Sequence, residues 1–107
     1  MRRRKLRELA HARSGDKGDT CNVGVVARDA RAYALLREHL TVERVRIYFG
    51  GLVAGGAVRY ELPNVGALNF VLRGALGGGG TRSTRLDAIG RALADALLEL
   101  ELDLPDA

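Results

Sequence analysis

Apolar and polar residues along the chain follow two different spacings, one typical of strands and one typical of helices. Short apolar runs and one alternating run, each too short for a typical helix, predict strands. The predicted strands are a segment around His11 and residues 21–27, 57–62 and 67–72. The polar residues 14–19 and the Pro63-Asn64 pair separate them into two hairpins, because both are turn signals.

Three other segments place apolar residues three and four positions apart and predict helices with one buried face. The first two begin after Asp29 and Thr41, whose side-chain oxygens can cap a first turn, and the second ends at Gly50-Gly51. The third follows Thr84, which has capping-box spacing with Asp87. The apolar positions are Tyr33, Leu36 and Leu40; Val42, Val45 and Phe49; and Leu86, Ile89, Leu93, Leu97 and Leu100.

The resulting order is strand, strand, helix, helix, strand, strand, helix. It predicts one α+β domain over residues 1–107: a rearranged ferredoxin-like sandwich with a four-stranded antiparallel sheet and helices on one face. Residues 98–104 alternate apolar and acidic side chains, so they fit either a helix end or a strand. We favour a helix to about Leu100 and an acidic tail at residues 101–107.

The formal charge of +4 is concentrated at residues 2–5, which are all basic. Removing those four from the 17 Lys and Arg leaves 13, equal to the 13 Asp and Glu, so a neutral body with a solvated basic tail at residues 1–5 is expected. No basic or aromatic stripe follows, which argues against nucleic acid as a partner. A single cysteine and no apolar run of about 20 residues favour a cytoplasmic protein without a membrane span. The chain is short enough to gain stability from a homo-oligomer.

The first candidate site is the polar segment at residues 13–20. Its glycines permit close backbone approach, so neighbouring amides and two cationic side chains can face a phosphate or carboxylate. The candidate ligand-binding residues are Arg13, Ser14, Gly15, Lys17 and Gly18. A plain hairpin turn explains the same residues equally well. Asp16 and Asp19 are candidate catalytic bases, while no acidic ladder accompanies them, so no metal is expected.

The second candidate site is the glycine-rich segment 74–83, which leads into the last predicted helix. Amides at a helix start attract anions, and glycines let an anion approach them. The candidate ligand-binding residues are Gly78, Gly79, Gly80, Thr81, Arg82 and Ser83. The segment lacks the Gly-Lys-Ser/Thr ending of a nucleotide-binding P-loop, and a mobile loop is the alternative. Asn69, polar in an apolar strand, is either a buried hydrogen-bonding residue or a ligand contact.

The chain resembles the acyclic terpene utilisation (AtuA-like) family, specifically its small C-terminal ferredoxin-fold domain. The matching segments are residues 10–19, Leu40-Thr41 with Val45 and Phe49, and residues 60–63, 67–70 and 74–83. In that family the domain is an appendage of a much larger region, so the resemblance implies a stand-alone form that pairs with a separately encoded large AtuA-type subunit. It also implies an accessory role in acyl-CoA or organic-acid catabolism, with an acyl-CoA or another anionic small molecule as ligand and no cofactor. The alternatives are an independent acyl-CoA lyase, hydratase or hydrolase, and a purely structural oligomerisation domain.

Overall fold

The computed structural model describes residues 2–17, 20–53, 55–74 and 83–105. The strands are β1 (Arg2–Lys5), β2 (Ala10–Lys17), β3 (Thr20–Ala27), β4 (Gly56–Leu62), β5 (Ala67–Arg73) and β6 (Glu101–Leu104). The helices are α1 (Ala30–His39), α2 (Val42–Phe49) and α3 (Ser83–Leu98). Short 3₁₀ turns cover Leu6–Glu8, Gly50–Val53 and Pro63–Val65.

Four strands form one antiparallel sheet in the order β2-β3-β5-β4. β2 and β3 form one hairpin, β4 and β5 form the other, and the helical crossover of α1 and α2 joins them. Because β5 rather than β4 pairs with β3, the second hairpin returns to the sheet with its later strand innermost. The predicted α+β architecture and its order of four strands and three helices are confirmed.

The hydrophobic core lies between this sheet and the helices. Alternate residues of β3 and β5 are fully buried, as the period of two in a strand requires. They meet the apolar stripes of all three helices, so the helices share one face of the sheet. The buried strand residues are Cys21, Val23, Val25, Leu68, Phe70 and Leu72, and those of the helices are Ala32, Leu36, Val45, Phe49, Leu93, Ala94 and Leu97.

Local capping chemistry sets the starts of the first two helices. The Asp29 carboxylate accepts a hydrogen bond from the Ala32 amide at 2.8 Å, and the Thr41 hydroxyl accepts one from the Arg44 amide at 3.2 Å. Both caps are as predicted. The third helix already begins at Ser83, so Thr84 lies inside its first turn and the predicted cap at Thr84 is wrong.

The two predicted tails are wrong for residues 2–5 and 101–104, because these segments pair as the antiparallel strands β1 and β6. The apolar members of β6, Leu102 and Leu104, are buried in the core, while its acidic residues stay exposed. Burying two leucine side chains is a driving force that a solvated tail would forgo. Helix α3 therefore stops at Leu98, and the alternating pattern that follows it is that of a strand.

Opposite charges pair across this ribbon and at its base. Arg3 lies 3.4 Å from Asp103, and Glu99 accepts from both Lys5, at 2.9 Å, and Arg7. The hydrogen bond between Lys5 and Glu99 raises the pKa of Lys5 and lowers the pKa of Glu99. The basic segment is thus neutralised locally by acidic residues from the far end of the chain.

Hydrogen bonding also changes the ionisation of Glu8, at the turn that joins β1 to β2. Its carboxylate accepts from the Lys5 amide at 3.0 Å and from the Arg4 guanidinium at 3.3 Å. The bond from the Lys5 amide contributes most and the bond from Arg4 comes next; both lower the pKa of Glu8.

No helix among the described residues is long and apolar enough to cross a membrane.

Candidate functional site

The sheet face opposite the helices carries no covering element among the described residues, and we call it the open face. Its side chains are the strand residues that alternate with the buried ones. They are His11, Arg13 and Gly15 of β2; Asn22, Gly24 and Val26 of β3; Val58, Tyr60 and Leu62 of β4; and Asn69, Val71 and Arg73 of β5. None of these residues is acidic, although the chain holds 13 Asp and Glu. The open face is therefore electropositive.

One transverse row of the open face concentrates its polar groups. The strand registers align Arg13 with Gly24, Gly24 with Asn69, and Asn69 with Tyr60, so four neighbouring strands each contribute one position. Glycine at position 24 leaves backbone uncovered in the middle of the row. A side chain added there would place its Cβ 3.8 Å from Asn69 Oδ1, so the Asn69 amide borders this gap.

The polar side chains of this row have unused hydrogen-bonding capacity. Within the described part of the chain, Arg13, Asn69 and Tyr60 make no side-chain hydrogen bond or ion pair. Arg59 provides a contrast on the helix-covered side, since it donates to the Arg37 and Leu40 carbonyls and to Glu61. A guanidinium, an amide and a phenol without protein partners can donate to an anion without first breaking internal contacts.

Both glycine-bearing segments leave the sheet at the same end. Lys17 pairs with Thr20 across the β2–β3 turn, and Cys21, one residue on, pairs with Leu72 near the end of β5. Residues 18–19 and 75–82 lie outside the described residues. Their anchoring strand ends are neighbours, which is consistent with the prediction that the two segments meet.

The structure sorts the candidate residues of the first segment by strand alternation. Arg13 and Gly15 lie on the open face, together with Asn69 from the neighbouring hairpin. Ser14 alternates to the helix-covered side, so it does not share the open face with Arg13 and Gly15, and its ligand-binding role remains a prediction. The predicted loop at residues 14–19 is also wrong up to Lys17, because β2 continues to that residue.

This strand geometry removes one part of the predicted chemistry. Successive amides of an extended strand point in opposite directions, so the amides of residues 14–17 cannot converge on one anion. In β2, side chains on the open face rather than a cradle of backbone amides are the groups available to bind one.

Several candidate residues remain predictions. Gly18, Asp19, Gly78, Gly79, Gly80, Thr81 and Arg82 lie outside the described residues. For Asp16, Lys17 and Ser83 the structure gives backbone position alone: Asp16 pairs with Cys21, Lys17 ends β2, and Ser83 begins α3. Among the described residues, no three His, Cys, Asp or Glu side chains form a group that could hold a metal ion.

Four open-face residues were missed by sequence reasoning: Asn22, Gly24, Tyr60 and Arg73. One signal was present, because an isolated glycine inside a β-branched run often marks a close approach of another group. The other three need the pairing of β3 with β5, which no local pattern encodes.

The comparisons with known proteins give one family match. The model of the family described as the AtuA ferredoxin-like domain matches residues 4–103. No curated protein and no solved structure matches the chain significantly.

Proposed function

The chain belongs to the AtuA ferredoxin-like domain family, and on that premise we propose that it is an accessory or small subunit working with a larger, separately encoded AtuA-type subunit. The match at residues 4–103 takes up nearly the whole chain, so the matched region is the small domain itself. The system it serves is proposed to be the catabolism of acyl-CoA or organic acids of the acyclic terpenoid type. We place it in the cytoplasm, because its single cysteine cannot form an internal disulfide.

The specific role we propose is binding of an anionic group on the open face. The observation that carries it is the row from Arg13 to Tyr60, whose polar side chains have no partners among the described residues and no acidic neighbour on that face. Arginine presents a planar fork of donors that matches a phosphate or carboxylate. Asn69 and Tyr60 supply further donors at defined positions in the same row.

Apolar side chains beside this row favour a ligand with an acyl chain. Val58 and Val71 lie in the next row of the open face, towards the β2–β3 turn. Leu62, 45% exposed, lies on the other side of Tyr60 along β4. A ligand that combines anionic groups with a hydrocarbon chain would cover both parts of the face. Acyl-CoA has this composition.

Binding rather than catalysis is the role that the described residues support. Among the described side chains of the open face there is no carboxylate or thiol. A catalytic role for Asp16 or Asp19 remains a prediction.

We also propose self-association, because the apolar side chains of Val65 and Ile47 are 66% and 73% exposed and a second copy of the chain could cover them.

Calorimetric titration of the purified chain with inorganic phosphate, coenzyme A and isobutyryl-CoA tests the open-face site. We expect Arg13→Gln and Asn69→Ala to weaken binding of coenzyme A, the arginine change by about tenfold, because a charge-assisted hydrogen bond is lost. The matched control is Arg91→Gln, which removes the same charge from an exposed position of α3 on the other side of the sheet. Equal affinity in all variants, or no binding by wild type, would refute the site.

Co-purification of the tagged chain from its native cell tests the subunit role separately. We expect a larger AtuA-type protein to be recovered with it. Recovery of the chain alone, at concentrations where it is folded, would contradict the accessory role while leaving the ligand measurement unaffected.

A further inference from the structure

A second group of cationic side chains lies at the opposite end of the sheet, around the start of α1. Three arginines, Arg4, Arg28 and Arg31, line a cavity of about 200 Å³. The rest of its lining consists of Leu9, Asp29, Ala32 and Leu35. Arg28 follows the last residue of β3 and comes four residues after Gly24, where the polar row of the open face crosses that strand. Four strand residues span about 13 Å, so the two places are separate.

The fold brings these arginines together from distant parts of the sequence. The Arg28 amide donates to the Leu9 carbonyl at 2.9 Å, which fixes the end of β3 against the turn that follows β1. Arg4 belongs to β1 itself. Arg31 lies in the first turn of α1, three residues after Arg28.

The charges around this cavity are not balanced within the described residues. Glu8 accepts from Arg4 at 3.3 Å, and the Asp29 carboxylate is engaged by the Ala32 amide as the helix cap. Arg28 and Arg31 have no carboxylate partner in the described part of the chain. With Arg4 paired to Glu8, the guanidinium groups of Arg28 and Arg31 and the Asp29 carboxylate leave a net positive charge around one concave space.

The apolar floor of the cavity strengthens the attraction between these guanidinium groups and an anion bound to them. Leu9 and Ala32 are each 3% exposed, so apolar, water-poor protein lies directly beneath the arginines. Attraction between opposite charges grows as the local dielectric constant falls. Because Asp29 already occupies the helix cap, the arginine side chains rather than the helix amides are the donors here.

We propose that this cavity binds a compact oxoanion, either a phosphate group or a small carboxylate, through Arg28 and Arg31 with Arg4 at the margin. Ligand pockets for drug-sized molecules measure about 300–1,000 Å³. At about 200 Å³ the cavity suits a smaller group. The arginine fork provides two parallel donors for either kind of oxoanion.

Amide chemical shifts measured by NMR during titration with inorganic phosphate and, separately, with isobutyrate test this site at constant ionic strength. We expect saturable shifts of the amides of residues 28–32 with at least one anion, and the arm that saturates identifies the oxoanion. Arg28→Gln and Arg31→Gln are each expected to weaken that binding by about tenfold. Arg28→Lys, which keeps the charge but loses the fork, should fall between Arg28→Gln and wild type.

The control for location is Arg13→Gln, which should leave the affinity measured at residues 28–32 unchanged. Linear, non-saturating shifts with both anions would overturn the proposal, and so would equal affinity in wild type and in both glutamine variants. The outcome is independent of the open-face titration, since the two sites share no residue.

Discussion

Replacement of Leu102 by alanine tests whether the C-terminal strand is part of the core. Leu102 is 1% exposed and belongs to β6, the strand that the sequence pattern left undecided. It belongs to the same buried cluster as Leu6 and Leu100, and the Leu6 amide donates to the Leu100 carbonyl at 2.8 Å. Shortening the side chain of residue 102 therefore removes volume from a buried site whose backbone is paired with β1.

The expected loss in the free energy of unfolding is about 3 kcal/mol, within the range of about 2–5 kcal/mol for buried leucine-to-alanine changes. A domain of this size has a total stability of about 5–15 kcal/mol. The change should lower the melting temperature by about 10–20 °C. A leucine in a solvated tail would cost almost nothing, so the two alternatives differ by a readily measured amount.

Urea unfolding monitored by circular dichroism gives the free energy of unfolding of each variant. The matched control is Leu62→Ala on β4, where the side chain is 45% exposed and the expected loss is about 1 kcal/mol. Equal losses at positions 102 and 62 would refute the packing of β6 into the core. If the slope of the free energy of unfolding against urea concentration is the same in all variants, the comparison reports stability alone.

Three further changes test other features of the structure. Tyr33→Phe should leave the free energy of unfolding unchanged or raise it by about 1 kcal/mol in urea titrations, because the buried Tyr33 hydroxyl has no hydrogen-bond partner among the described residues; a clear loss would contradict this. Gly66→Ala should cost about 1–2 kcal/mol in the same assay, since φ at Gly66 is +64°, whereas an unchanged stability would contradict the turn geometry. The lowered pKa values of Glu99 and Glu8 mean that their stabilisation is present above about pH 4.5 and is lost as pH falls through the folded-state values. Melting temperatures between pH 7 and 3 should fall less steeply for Glu99→Gln than for wild type, and parallel curves would count against the Lys5–Glu99 contact.

The sequence predicted best those elements whose chemistry is local. Asp29 and Thr41 cap the helices that directly follow them, so a window of a few residues contains the information. Strands β3 and β5 were predicted to within one residue at each end, because each is a short apolar run between turn residues.

The terminal ribbon could not be assigned in the same way. Its two strands lie at opposite ends of the chain, and Arg3 pairs in register with Asp103. The alternation at residues 98–104 was visible, but a strand needs a partner, and the basic segment had been interpreted as solvated. The opposite charges of residues 2–5 and 101–104 were the available signal. They become evidence for pairing only when the core is known to have room for Leu102 and Leu104, both of which are buried.

The candidate site was predictable in composition and not in geometry. Arg13, Gly15 and Asn69 were chosen for chemical reasons and do share the open face, but Ser14, chosen for the same reasons, lies on the opposite side. The side on which a residue lies depends on register. For Arg13, Ser14 and Gly15 that register is set within the β2–β3 hairpin. Asn69 joins them only through the pairing of β3 with β5, whose partners, such as Val26 and Ala67, are more than 40 residues apart in the sequence.

Pairing also changes where the excess positive charge of the chain resides. From the sequence alone, the net charge of +4 belongs to the N-terminal basic segment and indicates no function. In the fold, acidic residues of the C-terminal region contact that segment, as Asp103 does with Arg3 and Glu99 with Lys5. The described arginines left without a carboxylate partner include Arg13 on the open face and Arg28 beside the cavity at α1. Exposed guanidinium groups without a carboxylate partner are the ones available to bind anions. Pairing of β1 with β6 neutralises charge at the N-terminal segment, so the excess positive charge lies at the two places where we propose ligands.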